Sequence, residues 1–455
     1  MLNTKNNLKN AIDSGTKFLY TLINEDKGIL YHHEDSPCSG IWVTAEALEF
    51  LLTSKNISRT GTDFNNINSM VKFIVDSQNH DGSWNVLKNG NGNEIASSIS
   101  TGHCVYALKL ALCTNYITND NPFDRIYKAI KNGETWLLNN CRQANNTTFW
   151  KTGVKQAGES FEIDSEGLRI EFVFTTFYAM LGFVIPDGYI SVIKENSFND
   201  WVQEENEKDS IKKFIMNIIN FFSCQATYFY NTYREKKLDI NIFSQIASTI
   251  SRIFGGLKFL GGKIEIEVEN GLKKILLSNI DEAYYTSALR VEVDTVQENS
   301  ASYNNNTPFD IAIALFNFDV EYSYIKPIVT KFLDEQKEDG FWYLNFTSIP
   351  GKIKAWSTIE ALMVIERALN YKQNTHLKNK VLNFIRKVIK RRLAFTFIGL
   401  FLAVITMSIF ISISFKNQNP EFSFWETTKS ILGCVFIPLL CGILLDIICK
   451  KFKNK

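Results

Sequence analysis

Two glutamates stand at the same place in two copies of one short motif. Glu46 lies in Trp42-Val43-Thr44-Ala45-Glu46-Ala47-Leu48 and Glu360 in Trp356-Ser357-Thr358-Ile359-Glu360-Ala361-Leu362, a shared W-x-T-x-E-A-L more than 300 residues apart. Two carboxyl groups brought close together cannot both ionise easily, so one pKa rises and the pair can serve as acid and base. A structural reading stays open beside this one: a glutamate on a buried helix bonded to a backbone donor, or to a neighbouring Tyr or Lys. Asp310, in Thr307-Pro308-Phe309-Asp310-Ile311-Ala312-Ile313-Ala314-Leu315, is a third carboxylate at the head of a comparable run. His103 and Tyr178, with Trp42 and Trp356, are expected to line the same cavity.

Metal chemistry finds little support. The five histidines are His32, His33, His80, His103 and His376, and the eight cysteines include no C-x-x-C pair. Asp35 and Cys38 sit near His32 and His33, and Cys104 follows His103; a satisfied structural histidine is the favoured reading over a ligand. No metal and no cofactor is expected. A formal net charge of +1 gives no bulk electrostatic case for nucleic acid. The polar start, Met1 to Asn7, has no apolar core of a secretory signal.

The elements that must position these residues repeat. Gln78-Asn79-His80-Asp81-Gly82-Ser83-Trp84 and Gln336-Lys337-Glu338-Asp339-Gly340-Phe341-Trp342 share Q-x-x-D-G-x-W. Gly15-Thr16-Lys17-Phe18-Leu19 is echoed by Gly133-Glu134-Thr135-Trp136-Leu137. Six units of outer helix, turn and inner helix can be traced. Outer helices are expected near 8–22, 67–77, 126–140, 211–222, 266–277 and 324–335, and inner helices near 41–52, 98–112, 168–183, 242–257, 308–318 and 354–369. The fourth unit has no Q-x-x-D-G-x-W, and the fifth carries a long polar insert. One helical hairpin leaves an apolar face bare, so neighbours must stack, and six can close into a ring around a cavity. The expected fold class is all-α: an (α/α)6 toroid over residues 1–370.

The two Q-x-x-D-G-x-W copies resemble the QW repeats of squalene–hopene and related terpenoid cyclases, and the inner-helix T-x-x-A-L pattern is similar to that superfamily, which includes the protein prenyltransferase β subunits. The resemblance covers about Leu8 to Leu369, and it implies an isoprenoid or other lipid in the central cavity. Cyclases of this kind protonate an alkene or epoxide with the middle Asp of D-x-D-D-T. Here only Asp310 matches that motif, and Phe309 stands at the donor position; Val291-Glu292-Val293-Asp294-Thr295 also keeps one Asp. The prenyltransferase zinc ligands have no counterpart. Whether the chain is an enzyme is left open, with Glu46, Glu360 and Asp310 as its candidate catalytic carboxylates.

From Tyr371 the character changes. Residues 371–392 read as a basic amphipathic segment with seven Lys and Arg from Lys378 to Arg392. Leu393–Phe415 is 23 residues without a charge, ~35 Å as a helix and long enough to span a bilayer. A second apolar run, Ile431–Cys449, ends in Lys450-Lys451. Residues 393–455 are thus expected to form a transmembrane helical hairpin, with the bilayer as partner and homo-oligomerisation through the hairpin as a possibility. The basic flanks put the toroid and both termini in the cytoplasm of a multi-pass cell-membrane protein. The alternative function is a non-enzymatic ligand- or partner-sensing toroid coupled to this hairpin as a membrane effector, in bacterial defence or signalling. Glycoside hydrolysis on an (α/α)6 barrel ranks third.

Overall fold

The structure, a computed structural model, describes residues 2–371 except 33–35, 58–59, 89–95, 115–121, 152–169, 197, 237, 239, 279–288, 294–300, 306 and 343–354. The chain divides into two compact units, Met1–Lys372 and Gln373–Lys455, and the first holds the helical repeats.

Among the described residues, six outer helices alternate with six inner ones. The outer set is α1 (Leu2–Thr21), α3 (Gly61–Asp76), α5 (Phe123–Asn140), α8 (Phe198–Tyr233), α10 (Ile266–Ser278) and α12 (Tyr322–Glu335). The inner set is α2 (Ile41–Thr53), α4 (Ser98–Cys113), α6 (Ile170–Leu181), α9 (Ile240–Leu260), α11 (Thr307–Asn317) and α13 (355–371). A short α7 (Tyr189–Asn196) sits between α6 and α8. The sequence explains which is which. In α5 the buried Phe123, Ile126, Tyr127, Ile130, Trp136 and Leu137 fall on one stripe, as on a helix with one side in water. In α2 and α4 nearly every residue is buried, as on helices packed on all sides. The inner helices pack in succession, α2 on α4, α4 on α6, α6 on α9 and α9 on α11.

The repeated turns lock each unit to the next. Gln78 Nε2 donates to Gly82 O within its own turn at 3.0 Å and to Ala129 O of the following outer helix, α5, at 2.8 Å. Gln336 Nε2 donates to Gly340 O at 3.1 Å and to Ala11 O of α1 at 3.0 Å. The sixth unit therefore grips the first as the second grips the third, and the ring closes. Gly82 and Gly340 have φ of +93° and +91°. A Cβ there would stand 2.6 Å from Asn132 O and 2.4 Å from Ser14 O, so both the turn and the approach to the next helix exclude a side chain.

The tryptophans complete the joint. Trp84 and Trp342 are almost fully buried, and their indole nitrogens donate to the carbonyls of Ile74 and Phe332 near the ends of the outer helices. A buried ring of ~200 Å² at ~25 cal/mol per Å² contributes about 5 kcal/mol before conformational entropy. Each ring lies where the next outer helix has glycine: a Cβ on Gly133 would meet Trp84 at 2.8 Å, and one on Gly15 would meet Trp342 at 3.0 Å. A threonine of the inner helix then accepts from the turn backbone. The pairs are Thr44 with Ile29 N, Thr101 with Trp84 N, Thr176 with Trp150 N and Thr358 with Trp342 N, at 2.9 to 3.2 Å.

The fold is mostly helical, as expected, and among the described residues three short antiparallel hairpins accompany the helices: β1 (Ile29–His32) with β2 (Ser36–Gly40), β3 (Arg142–Ala144) with β4 (Thr147–Phe149), and β5 (Leu289–Val293) with β6 (Ala301–Asn305). The second turns through Asn145 and Asn146, both at positive φ, as a two-residue hairpin requires. The third occupies the polar insert of the fifth unit.

The multi-pass membrane placement is also corrected. Among the described residues no helix is long and apolar enough to cross a membrane. The basic segment 371–392 beyond its first residue, and the apolar runs 393–415 and 431–449, lie outside the described residues.

Candidate functional site

All six inner helices send side chains to one buried polar cluster. Helix α2 supplies Trp42, Glu46 and Glu49 at i, i+4 and i+7, which share a face. His103 comes from α4, Tyr178 from α6, Ser248 and Arg252 from α9, and Asp310 from α11. Trp356 and Glu360 come from α13 at the spacing of Trp42 and Glu46. Trp42, Glu46, His103, Tyr178, Arg252, Asp310, Trp356 and Glu360 are all buried.

An aromatic layer forms one wall. Trp42 Nε1 donates to His103 Nδ1 at 2.7 Å. That leaves the imidazole proton on Nε2, which lies 3.3 Å from Glu49 Oε2. Ring centroids of Trp42 stand 5.8 Å from Trp356 and 5.9 Å from Tyr178, and His103 is 4.8 Å from Tyr178. The two motif tryptophans meet because the ring brings the first and last units together.

An ion pair adjoins this layer at Tyr178. Arg252 Nη1 donates to Asp310 Oδ1 at 2.8 Å and to Ser248 Oγ at 2.5 Å. Its Nη2 donates to Tyr178 Oη at 3.4 Å, and its guanidinium lies 4.4 Å from the Phe174 ring centroid. Burial raises the Asp310 pKa, and Arg252 and Ser248 oppose that rise. Burial also raises Tyr178 well above the usual phenol value.

Glu46 is the distinctive group. Its pKa is pushed up to about 8, first by burial and then by the charge of Glu49, against a smaller lowering from Arg252. At neutral pH this carboxyl keeps its proton. Glu46 Oε2, Asp310 Oδ2 and Trp356 Nε1 make no hydrogen bond within the protein among the described residues.

Glu46, His103, Tyr178, Arg252 and Asp310 line a cavity of about 60 Å³. Glu49, Phe259, Met363 and Arg367 complete its outer part; Phe259 is 36% exposed and the others are partly exposed. Of the residues singled out from sequence, Glu46, Asp310, His103 and Tyr178 reach the cavity. Trp42 and Trp356 pack beside it without lining it, and Glu360 is buried nearby, its charge acting on Tyr178 and Arg252. The neighbour that perturbs Glu46 is Glu49 rather than Glu360. Sequence reasoning missed Arg252 and Glu49. Arg252 had a signal: it is the lone charge in Ile240–Leu257, an otherwise uncharged stretch. Among the described residues no group of three or more His, Cys, Asp or Glu is arranged to hold a metal ion.

No family model and no curated protein matches the chain. Among solved structures it is similar to cellobiose 2-epimerase from Bacillus thermoamylovorans B4167, with 14% identity and a TM-score of 0.49, over 81% of this chain and 100% of that one. It is also similar to a D-mannose isomerase, with 10% identity and a TM-score of 0.48, over 80% of this chain and 97% of that one. A third is the GH76A α-1,6-mannanase from Salegentibacter sp. HEL1_6, with 10% identity and a TM-score of 0.44, over 80% and 99%.

The expected membership among terpenoid cyclases and prenyltransferases is corrected: no family model and no curated protein matches the chain, and the three structures are named as an epimerase, an isomerase and a mannanase. The site gives the physical reasons. Phe309 holds the donor position of the cyclase motif, and Asp310 is engaged by Arg252.

Proposed function

We propose that the toroid binds a small hydroxylated carbonyl compound of the carbohydrate class in its central cavity and moves a proton on it. Glu46 is the acid, protonating the carbonyl oxygen. Asp310, ion-paired with Arg252, is the base that takes the proton from the adjacent carbon. The observation that carries this reading is the contrast between two carboxyl groups on one cavity. Glu46 has a pKa of about 8, Asp310 is ion-paired at 2.8 Å, and each keeps one oxygen without a protein partner among the described residues. Two carboxyl groups on one cavity with different partners, one unpaired by any cation and one ion-paired, can divide the roles of acid and base.

The lining favours a sugar. Phe177, Tyr178, Phe259 and Phe309 offer ring faces, while Arg252, Arg367 and Glu49 offer charged hydrogen-bonding groups. At ~30 Å³ per water, the cavity has room for about two waters, so a sugar ring enters when the exposed Phe259 and its neighbours at the rim swing outward. The small volume favours proton transfer on a monosaccharide or disaccharide end over attack within a long glycan.

The test is proton NMR of reducing hexoses and disaccharides in D₂O with the purified protein. Deuterium is expected to enter the carbon next to the carbonyl, and Glu46→Gln or Asp310→Asn is expected to abolish that exchange while saturable binding persists. A panel with neither binding nor exchange sinks the reading.

A further inference from the structure

A second and much larger cavity lies on the outer part of the ring, away from the central cluster. Its volume is about 670 Å³, and its walls come from α4, α5, β3, α7, α8 and the segment joining α6 to α7. This is within the size range of small-molecule sites. The lining has a clear division of character. Leu138, Phe183, Ile185 and Phe214 are apolar walls, with Leu138 46% and Ile185 50% exposed. Lys109, Lys131 and Lys213 are set against one acid, Glu134, which leaves an excess of two positive charges.

The charges are not equivalent. Lys109 is buried, and its Nζ is already taken up by Glu134 Oε1 and Gly182 O, both at 2.7 Å. Lys131 lies 3.0 Å from the other Glu134 oxygen. Burial works to raise the Glu134 pKa, and Lys109 and Lys131 overcome it, so Glu134 is an anion that fixes both amines. Lys213, on the exposed side of α8, is the cation to which the structure gives no such acid among the described residues. An apolar trough with surplus positive charge at its edge selects a ligand of the opposite construction.

We propose that this cavity binds an amphipathic carboxylate of the fatty-acid class. The chain lies against Leu138, Phe183, Ile185 and Phe214, and the carboxylate engages Lys213 with support from Lys131. A neutral alcohol of the same length forgoes the charge, a cationic amphiphile is repelled by it, and a small inorganic anion leaves the apolar walls wet. The site shares no lining residue with the central cavity, so its occupancy is independent of the carbohydrate reading.

The test uses the full-length protein and decanoate, followed by isothermal calorimetry and native mass spectrometry, with decanol and decyltrimethylammonium as controls. One decanoate per chain is expected, at least fivefold tighter than decanol, with no binding of the cation. Lys213→Glu and Ile185→Glu change exposed or half-exposed side chains and are expected to leave the fold intact, as circular dichroism would register. Each is expected to weaken decanoate at least fivefold, and Glu46→Gln is expected to leave it unchanged. Absence of saturable decanoate binding, equal affinity for decanol, or insensitivity to both rim substitutions in folded protein overturns the proposal.

Discussion

Arg252 on the fourth inner helix donates to Asp310 on the fifth at 2.8 Å, and both side chains are almost wholly withdrawn from water. Removing one partner strands the other's charge in a low-dielectric interior. Asp310→Asn is therefore expected to cost about 3–5 kcal/mol of stability, whereas the double change Arg252→Met with Asp310→Leu recovers most of it. Urea denaturation of the three proteins checks this. If the single and double variants are equally unstable, the pair does not act as an isolated unit.

Stability should also carry the signature of Glu46. Its folded pKa of about 8 lies above the ordinary 4.5, so between those values the folded chain holds one proton more than the unfolded chain. The stabilisation from this group is complete below pH 4.5 and is lost as pH rises towards 8. The slope is about 1.4 kcal/mol per pH unit at its steepest. Glu46→Gln is expected to reduce the proton uptake on folding by one across that window, measured as the difference in slope of unfolding free energy against pH.

The imidazole of His103 is oriented from both sides, by Trp42 at Nδ1 and by Glu49 at Nε2. Nitrogen-15 NMR of labelled histidine should find His103 as the Nε2–H tautomer. Trp42→Phe removes the donor to Nδ1 and is expected to leave a mixture of tautomers. A wild-type spectrum dominated by Nδ1–H would contradict the geometry.

Gln336 joins the last unit to the first through Ala11 O, and holds its own turn through Gly340 O. Gln336→Ala leaves partly buried carbonyls without that donor and is expected to cost about 1–3 kcal/mol. The equivalent change, Gln78→Ala, removes bonds to Ala129 O and Gly82 O and should cost a similar amount. Thermal unfolding of both variants compares them; a Gln336 effect near zero beside a large Gln78 effect would mean the sixth unit does not clasp the first.

Much of this architecture is local and therefore written in the chain. Apolar residues at helical spacing place the helices, and Asp-Gly allows the positive φ of the turns. The pairing of Gly15 and Gly133 with the tryptophans of the preceding turns makes the repeat visible in the residue order itself. Glu46, Asp310, His103 and Tyr178 could be named because each stands at a comparable place on its inner helix. What the repeat does not encode is distance. Glu46 and Glu360 hold equivalent positions, yet the carboxylate that acts on Glu46 is Glu49, one turn along its own helix. Arg252 joins Asp310 from a unit with no recognisable turn motif. The cavity volume, the proton on Glu46 and the second pocket around Lys109 and Glu134 depend on how side chains from separate units fill the space between helices. A one-dimensional pattern fixes which face a residue occupies; only tertiary packing decides which charge it meets and how much water is left beside it.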